Sequence, residues 1–145
     1  YTKIVNGRNP IVAHEFLGSS VEGKDVIIVD DMISSGESML EVAAALKERK
    51  ANKIFVFSTF GLFTNGLDKF DKAYENCIID KVLTTNLIYQ TPELLSKPYY
   101  INCDMSKYIA LIIDTLNHDD SISKLLNPVE RIQKVLTKYR NNETI

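Results

Sequence analysis

The stretch VIIVDDMISSGESM, residues 26–39, gathers the residue types in this sequence best placed to do chemistry. Two adjacent carboxylates, Asp30 and Asp31, follow four β-favouring apolar residues. Ser34, Ser35, Gly36, Glu37 and Ser38 come next, where a helix begins to read. A helix amino terminus carries backbone N–H groups without intrahelical partners and the positive end of the helix dipole. A phosphate can be held there without a basic side chain. Ser35 and Ser38 add hydroxyl donors. Gly36 permits close backbone approach and a positive φ. Asp30 and Asp31 would repel an anion, but they can accept hydrogen bonds from hydroxyls nearby. Anion donors beside paired hydroxyl acceptors describe a site for a sugar phosphate. A purely structural reading competes, because Ser38 and Glu41 have the S-x-x-E spacing of a capping box. Adjacent carboxylates repel each other, and two of them ahead of a small-residue turn favour the binding site over the cap.

The elements around this stretch must place it at an accessible edge. Asp25 to Val29 reads as a strand apolar on both faces, which suits the interior of a parallel sheet covered by helices. Ser38 to Lys50 reads as a helix with Met39, Val42, Ala43 and Leu46 on one stripe. Ile54 to Phe57 is a second buried strand, Gly61 to Gly66 a loop, and Leu67 to Asn76 a short helix. Asp80 to Thr84 is a third strand, and Pro98 to Ile101 a short fourth. A helix with Met105, Tyr108, Ile109, Ile112 and Ile113 as its core stripe follows. Asn127-Pro128 starts a last helix to about Arg140, with Val129, Ile132, Val135, Leu136 and Tyr139 on its apolar side. Upstream, Ile11 to Leu17 reads as a further strand. This alternation predicts an α/β fold, a parallel sheet flanked by helices with right-handed crossovers. Ligands of such sheets bind at the carboxyl ends of the strands, where VIIVDD ends.

The 145 residues, 45% of them hydrophobic, suffice for one compact domain. Net charge is −2, from 17 basic and 19 acidic residues, so no basic excess points to nucleic acid. No apolar run approaches the roughly 20 residues of a membrane span, and no signal peptide is visible, so a cytoplasmic protein is expected. Cys77 and Cys103 lack metal-ligand spacing and read as buried free thiols. His14 and His118 have no partner in sequence and read as structural or surface groups. The acidic run from Asp114 to Asp120 reads as a solvated helix end rather than a metal site, and Tyr99-Tyr100 as a possible interface. Tyr1 and the TKIVNGRNPI that follows do not resemble a natural start, and a piece of a longer chain is expected.

VIIVDDMISSGESM resembles the loop that binds ribose 5-phosphate or PRPP in type I phosphoribosyltransferase-like folds. STFGLFTNGLDKF, KVLTTNLIY, DMSKYIALIIDTLN and NGRNPIVAHEFLGSSVEGKDVIIVDD are similar to the carboxyl-terminal part of the ribose-phosphate pyrophosphokinase (PRPP synthetase) family. The resemblance covers nearly the whole chain and is strongest over residues 24–60 and near Thr84-Thr85-Asn86. It implies a single type I phosphoribosyltransferase-like domain, the carboxyl-terminal part of a two-domain enzyme whose ATP-binding domain lies upstream. It implies that Asp30 and Asp31 hold the ribose hydroxyls, while Ser34, Ser35, Gly36, Glu37 and Ser38 cradle the 5-phosphate. The reaction implied moves the pyrophosphoryl group of ATP to the 1-hydroxyl of ribose 5-phosphate, giving PRPP and AMP. No catalytic residue is expected in this segment, since the Lys/Arg loop would lie just before Tyr1. Mg²⁺ would be held mainly by residues outside the segment, so the segment alone is expected to be inactive. A homo-oligomer is implied, with ribose 5-phosphate and ATP as substrates. The sequence departs from the family where Ser34 replaces a frequent Asp, Glu37 a frequent Gly, and Phe60 a frequent His. Glu37 fits a phosphate loop if its side chain turns outward while its N–H points in. The rival readings are a PRPP-using phosphoribosyltransferase and a non-catalytic, regulatory relative of the synthetase.

Overall fold

The structure is a computed structural model and describes residues 18–142. The strand expected over Ile11 to Leu17, with His14, lies outside the described residues. The chain divides into two compact units, one ending at Asp104 and one beginning at Met105.

In the first unit, β1 (Val26–Ile33), β2 (Ile54–Gly61), β3 (Lys81–Thr85) and β4 (Tyr100–Cys103) form one four-stranded sheet in the order β1-β2-β3-β4. Every pairing is parallel, with Val26 beside Ile54, Phe55 beside Lys81 and Val82 beside Tyr100. Parallel neighbours need crossover connections. These are α1 (Glu37–Glu48), α2 (Asp68–Glu75) and α3 (Pro92–Ser96). Helix α3 was not legible beforehand, although Thr91 caps it through Leu94 N–H and Pro92 opens it. The other expected elements of this unit are present, with β1 extended from Val29 to Ile33, which takes in Asp30 and Asp31, and β2 from Phe57 to Gly61.

All three helices build one core. Met39, Ala43 and Leu46 of α1, Phe70 and Ala73 of α2, and Leu94 of α3 are buried with Ile54, Val56 and Val82 of the sheet. Within the first unit, the described residues leave the other sheet face open, where the run of apolar residues predicts a cover. Ile27 is 61% and Val29 77% exposed, with Phe57 and Ile101 also open. Alternation along a strand separates these residues from Ile28 and Val56 by face. The doubly apolar strand was therefore read correctly as a pattern, but only one of its faces is packed.

Helices α1 and α2 each end on a non-glycine residue in the left-handed region, Lys50 at φ 62° and Cys77 at φ 55°. The following N–H groups reach back, Ala51 to Leu46 at 3.1 Å and Ile78 to Ala73 at 2.8 Å. Such closures satisfy carbonyls that a helix end leaves open. The turn also brings Cys77 to the surface, and Cys103 is half-buried, so the expectation of two buried thiols fails. Tyr99 and Tyr100 are buried rather than interfacial. Their ring faces serve the core while their hydroxyls reach polar partners. Tyr99 donates to Asp71 at 2.8 Å, and Tyr100 pairs with Thr84 at 2.6 Å.

The second unit holds α4 (Ser106–Asn117), α5 (Ser123–Leu126) and α6 (Val129–Arg140). The Asn127 carboxamide accepts from Val129 N–H at 3.1 Å, in keeping with the expected helix start. Neither α4 nor α6 has a buried residue, although both carry the apolar stripes read from the sequence. Tyr108 donates to the Leu125 carbonyl at 2.6 Å and lies under the Arg131 guanidinium at 5.0 Å. His118 closes α4 against the Asp114 carbonyl at 2.8 Å. No described helix is long and apolar enough to cross a membrane.

Candidate functional site

β1 runs towards its carboxyl end through Asp30 and Asp31 and delivers the turn 34–38 onto α1. The sequence placed the helix start near Ser38. The structure places its N-cap two residues earlier, at Gly36, and no side chain caps there. The capping box of Ser38 with Glu41 is thus not the start of α1. Ser38 instead lies exposed in the first turn.

Gly36 takes φ 79°, as expected for a glycine in this turn. Its lack of a side chain has a second cause that sequence did not give. A Cβ on Gly36 would lie 2.2 Å from Cζ of Phe70. Phe70 is fully buried and supports the turn from below. Around it Ser34, Glu37 and Ser38 are exposed, and Ser35 is half-buried. The Ser35 hydroxyl accepts from the Glu37 N–H at 3.5 Å. Leu62 and Thr64, after β2, donate to the carbonyls of Ile33 at 2.8 Å and Ser34 at 3.0 Å. The entrance to the turn is therefore fixed by the neighbouring strand.

A cavity of about 140 Å³ opens between strand and turn, lined among others by Asp30, Ser34, Ser35, Gly36, Glu37 and Ser38. Six of the seven residues singled out from the sequence come together around it. Asp31, the seventh, is not part of the lining. Its N–H donates to the Asp30 carboxylate at 2.9 Å, which fixes that side chain. The volume is below the ~300 Å³ usual for small-molecule pockets. It suits a compact anion with the rest of its molecule extending outwards.

The Glu37 side chain is held by a residue that sequence reasoning missed. Its carboxylate accepts from the Lys69 ammonium on α2. That hydrogen bond, and then the charge behind it, holds the Glu37 carboxyl below its ordinary range. Positions 37 and 69 share no local spacing, so nothing in the sequence pairs them. Phe60, where a His is frequent in the resembled family, is only partly covered. No group of three or more His, Cys, Asp or Glu side chains gathers among the described residues. The described residues do not by themselves supply the oxygen-rich set that Mg²⁺ takes.

A family model described as the phosphoribosyl synthetase-associated domain matches residues 7–127. The chain belongs to that family. A ribose-phosphate pyrophosphokinase of Shewanella oneidensis is 35% identical over 107 residues, 74% of this chain and 33% of the relative. Human phosphoribosyl pyrophosphate synthase-associated protein 2 is 35% identical over 109 residues, 75% of this chain and 29% of the relative. The chain thus spans about a third of the length of the curated relatives it matches. The phosphoribosylpyrophosphate synthetase of Mycobacterium smegmatis superposes with a TM-score of 0.61 at 22% identity, over 70% of this chain and 33% of that one. The fold is the α/β, phosphoribosyltransferase-like one expected from the sequence. The chain is a relative of PRPP synthetases and their associated proteins.

Proposed function

We propose that this chain carries the ribose-5-phosphate half-site of a ribose-phosphate pyrophosphokinase. The observation that carries the reading is the cavity between Asp30 and the turn 34–38, at the carboxyl end of β1. The turn's N–H groups and the hydroxyls of Ser34, Ser35 and Ser38 hold the 5-phosphate at the positive end of α1. Asp30 and Asp31 accept from ring hydroxyls and set the sugar's orientation. Fixing the sugar at both ends presents its 1-hydroxyl for attack on the pyrophosphoryl group of ATP. ATP, Mg²⁺ and the catalytic Lys/Arg loop come from the longer enzyme, in a cytoplasmic homo-oligomer. The segment alone binds but does not turn over.

Calorimetric titration with ribose 5-phosphate tests the site. Asp30→Ala and Ser38→Ala should each weaken binding about tenfold, the scale of one charge-assisted hydrogen bond. Ribose without its phosphate should bind far more weakly than the ester. Equal heats from the wild type and both variants would remove the assignment.

A second reading is favoured by the 35% identity to a human synthase-associated protein. In it the chain belongs to a non-catalytic partner that keeps the sugar-phosphate site. AMP release from ATP and ribose 5-phosphate by the full-length protein separates the two. Release supports the enzyme, and binding without release supports the partner.

A further inference from the structure

Two of the residues lining the cavity, Asp30 and Glu37, are acidic, and none is Lys, Arg or His. A site for a dianionic ester with two negative side groups needs a source of relief. Asp30 stands at the sugar end, where acceptors are useful. Glu37 stands inside the phosphate turn itself, where a carboxylate serves no ligand contact. Protonation does not provide the relief, because Glu37 is held in its charged form by Lys69.

Helix α2 reaches the turn through two consecutive residues. Phe70 fills the space beneath Gly36, and Lys69 takes the Glu37 carboxylate. The same helix therefore fixes the position of the turn and the charge at its rim. Both partners of the ion pair are half exposed, at 54% for Lys69 and 50% for Glu37. An exposed pair of this kind adds little to fold stability. Its influence on a nearby charged ligand is electrostatic and reaches several ångströms at ordinary ionic strength.

We infer that Lys69 is a positioning residue for the anion turn. It draws the Glu37 carboxylate to α2 and cancels its charge, so that the amides of residues 34–38 face a phosphate ester without opposition. The inference rests on the reading of the turn as a sugar-phosphate site. It also explains how a Glu is accommodated inside a phosphate turn.

The test is calorimetric titration of the whole 145-residue chain with ribose 5-phosphate at low and high salt. Lys69→Met should bind about fivefold to tenfold more weakly at low salt, with the gap closing at high salt. Its thermal unfolding should match the wild type. Glu37→Gln alone should bind more tightly than the wild type, because Lys69 is left without its counter-charge. The double variant Glu37→Gln/Lys69→Met should recover wild-type affinity, because no charge is left to cancel. A double variant as weak as Lys69→Met would overturn the inference and make Lys69 a direct phosphate ligand. Lys69→Met with unchanged affinity would overturn it too. A wild-type chain giving no heat with ribose 5-phosphate instead defeats the reading of the site itself.

Discussion

At the residue scale, Gly36 decides whether the turn can form. Two demands meet there, a left-handed backbone at φ 79° and a Phe70 ring 2.2 Å from where a Cβ would stand. The left-handed region costs a non-glycine residue ~1–2 kcal/mol. Forcing a buried ring aside adds ~1–3 kcal/mol. Gly36→Ala should therefore lower stability by about 2–5 kcal/mol, read as a shift of the urea midpoint at constant slope. Half of this was legible in the sequence. A Gly among serines after an apolar strand announces an unusual backbone. Phe70 lies 34 residues away, beyond any local spacing, and only folding brings it beneath the turn. Lys69 was hidden for the same reason. Asp30, by contrast, was legible, because a strand's carboxyl end is a positional rule that needs no long-range knowledge.

At the scale of elements, α2 is tied to the chain leading into β4 through Asp71. Its carboxylate accepts from Lys97 at 2.7 Å and from Tyr99 at 2.8 Å. Burial alone would push the Asp71 carboxyl up, but the bonds from Lys97 and Tyr99 together outweigh it and hold the carboxyl below its ordinary range. Burial, followed by the bond to Asp71, pushes the Tyr99 phenol well above its usual value. The sign for stability follows from the lowered carboxyl. Its contribution is fully present above the unfolded value of about 3.9 and is lost as pH falls through the folded one. Asp71→Asn should cost about 1–2 kcal/mol at pH 6. The difference from wild type should shrink in urea unfolding at pH 3. A gap that is the same at both pH values would show that the charge of Asp71 is not what matters. Helix and strand types were mostly legible, since stripes such as Met39, Ala43 and Leu46 recur at helical spacing. The five-residue α3 was not, because so short a segment shows no full period.

At the scale of the molecule, the described residues of the first unit leave one sheet face open. Ile27, Val29, Phe57 and Ile101 stand open on it, and β1 carries no further strand on its other side among the described residues. Exposed apolar surface of this kind promotes association. The chain in isolation should associate as its concentration rises and should brighten a hydrophobic dye. Val29→Lys should reduce both effects in sedimentation and fluorescence measurements, while leaving the far-ultraviolet dichroism unchanged. Unaltered sedimentation would mean that this face is not the adhesive one. The sequence predicted helices on both sides because β1 is apolar on both. That pattern records what a strand can bury, not which element buries it.

The ring beneath Gly36 also limits how portable this strand–turn–helix motif is. A protein engineer who transplants residues 26–39 into a foreign sheet moves the strand, the turn and the first helical residues, but leaves the floor and the counter-charge behind in residues 68–75. The unit that must travel is the whole stretch from Val26 to Glu75. Only with it does the turn keep both its shape and the charge balance at its rim.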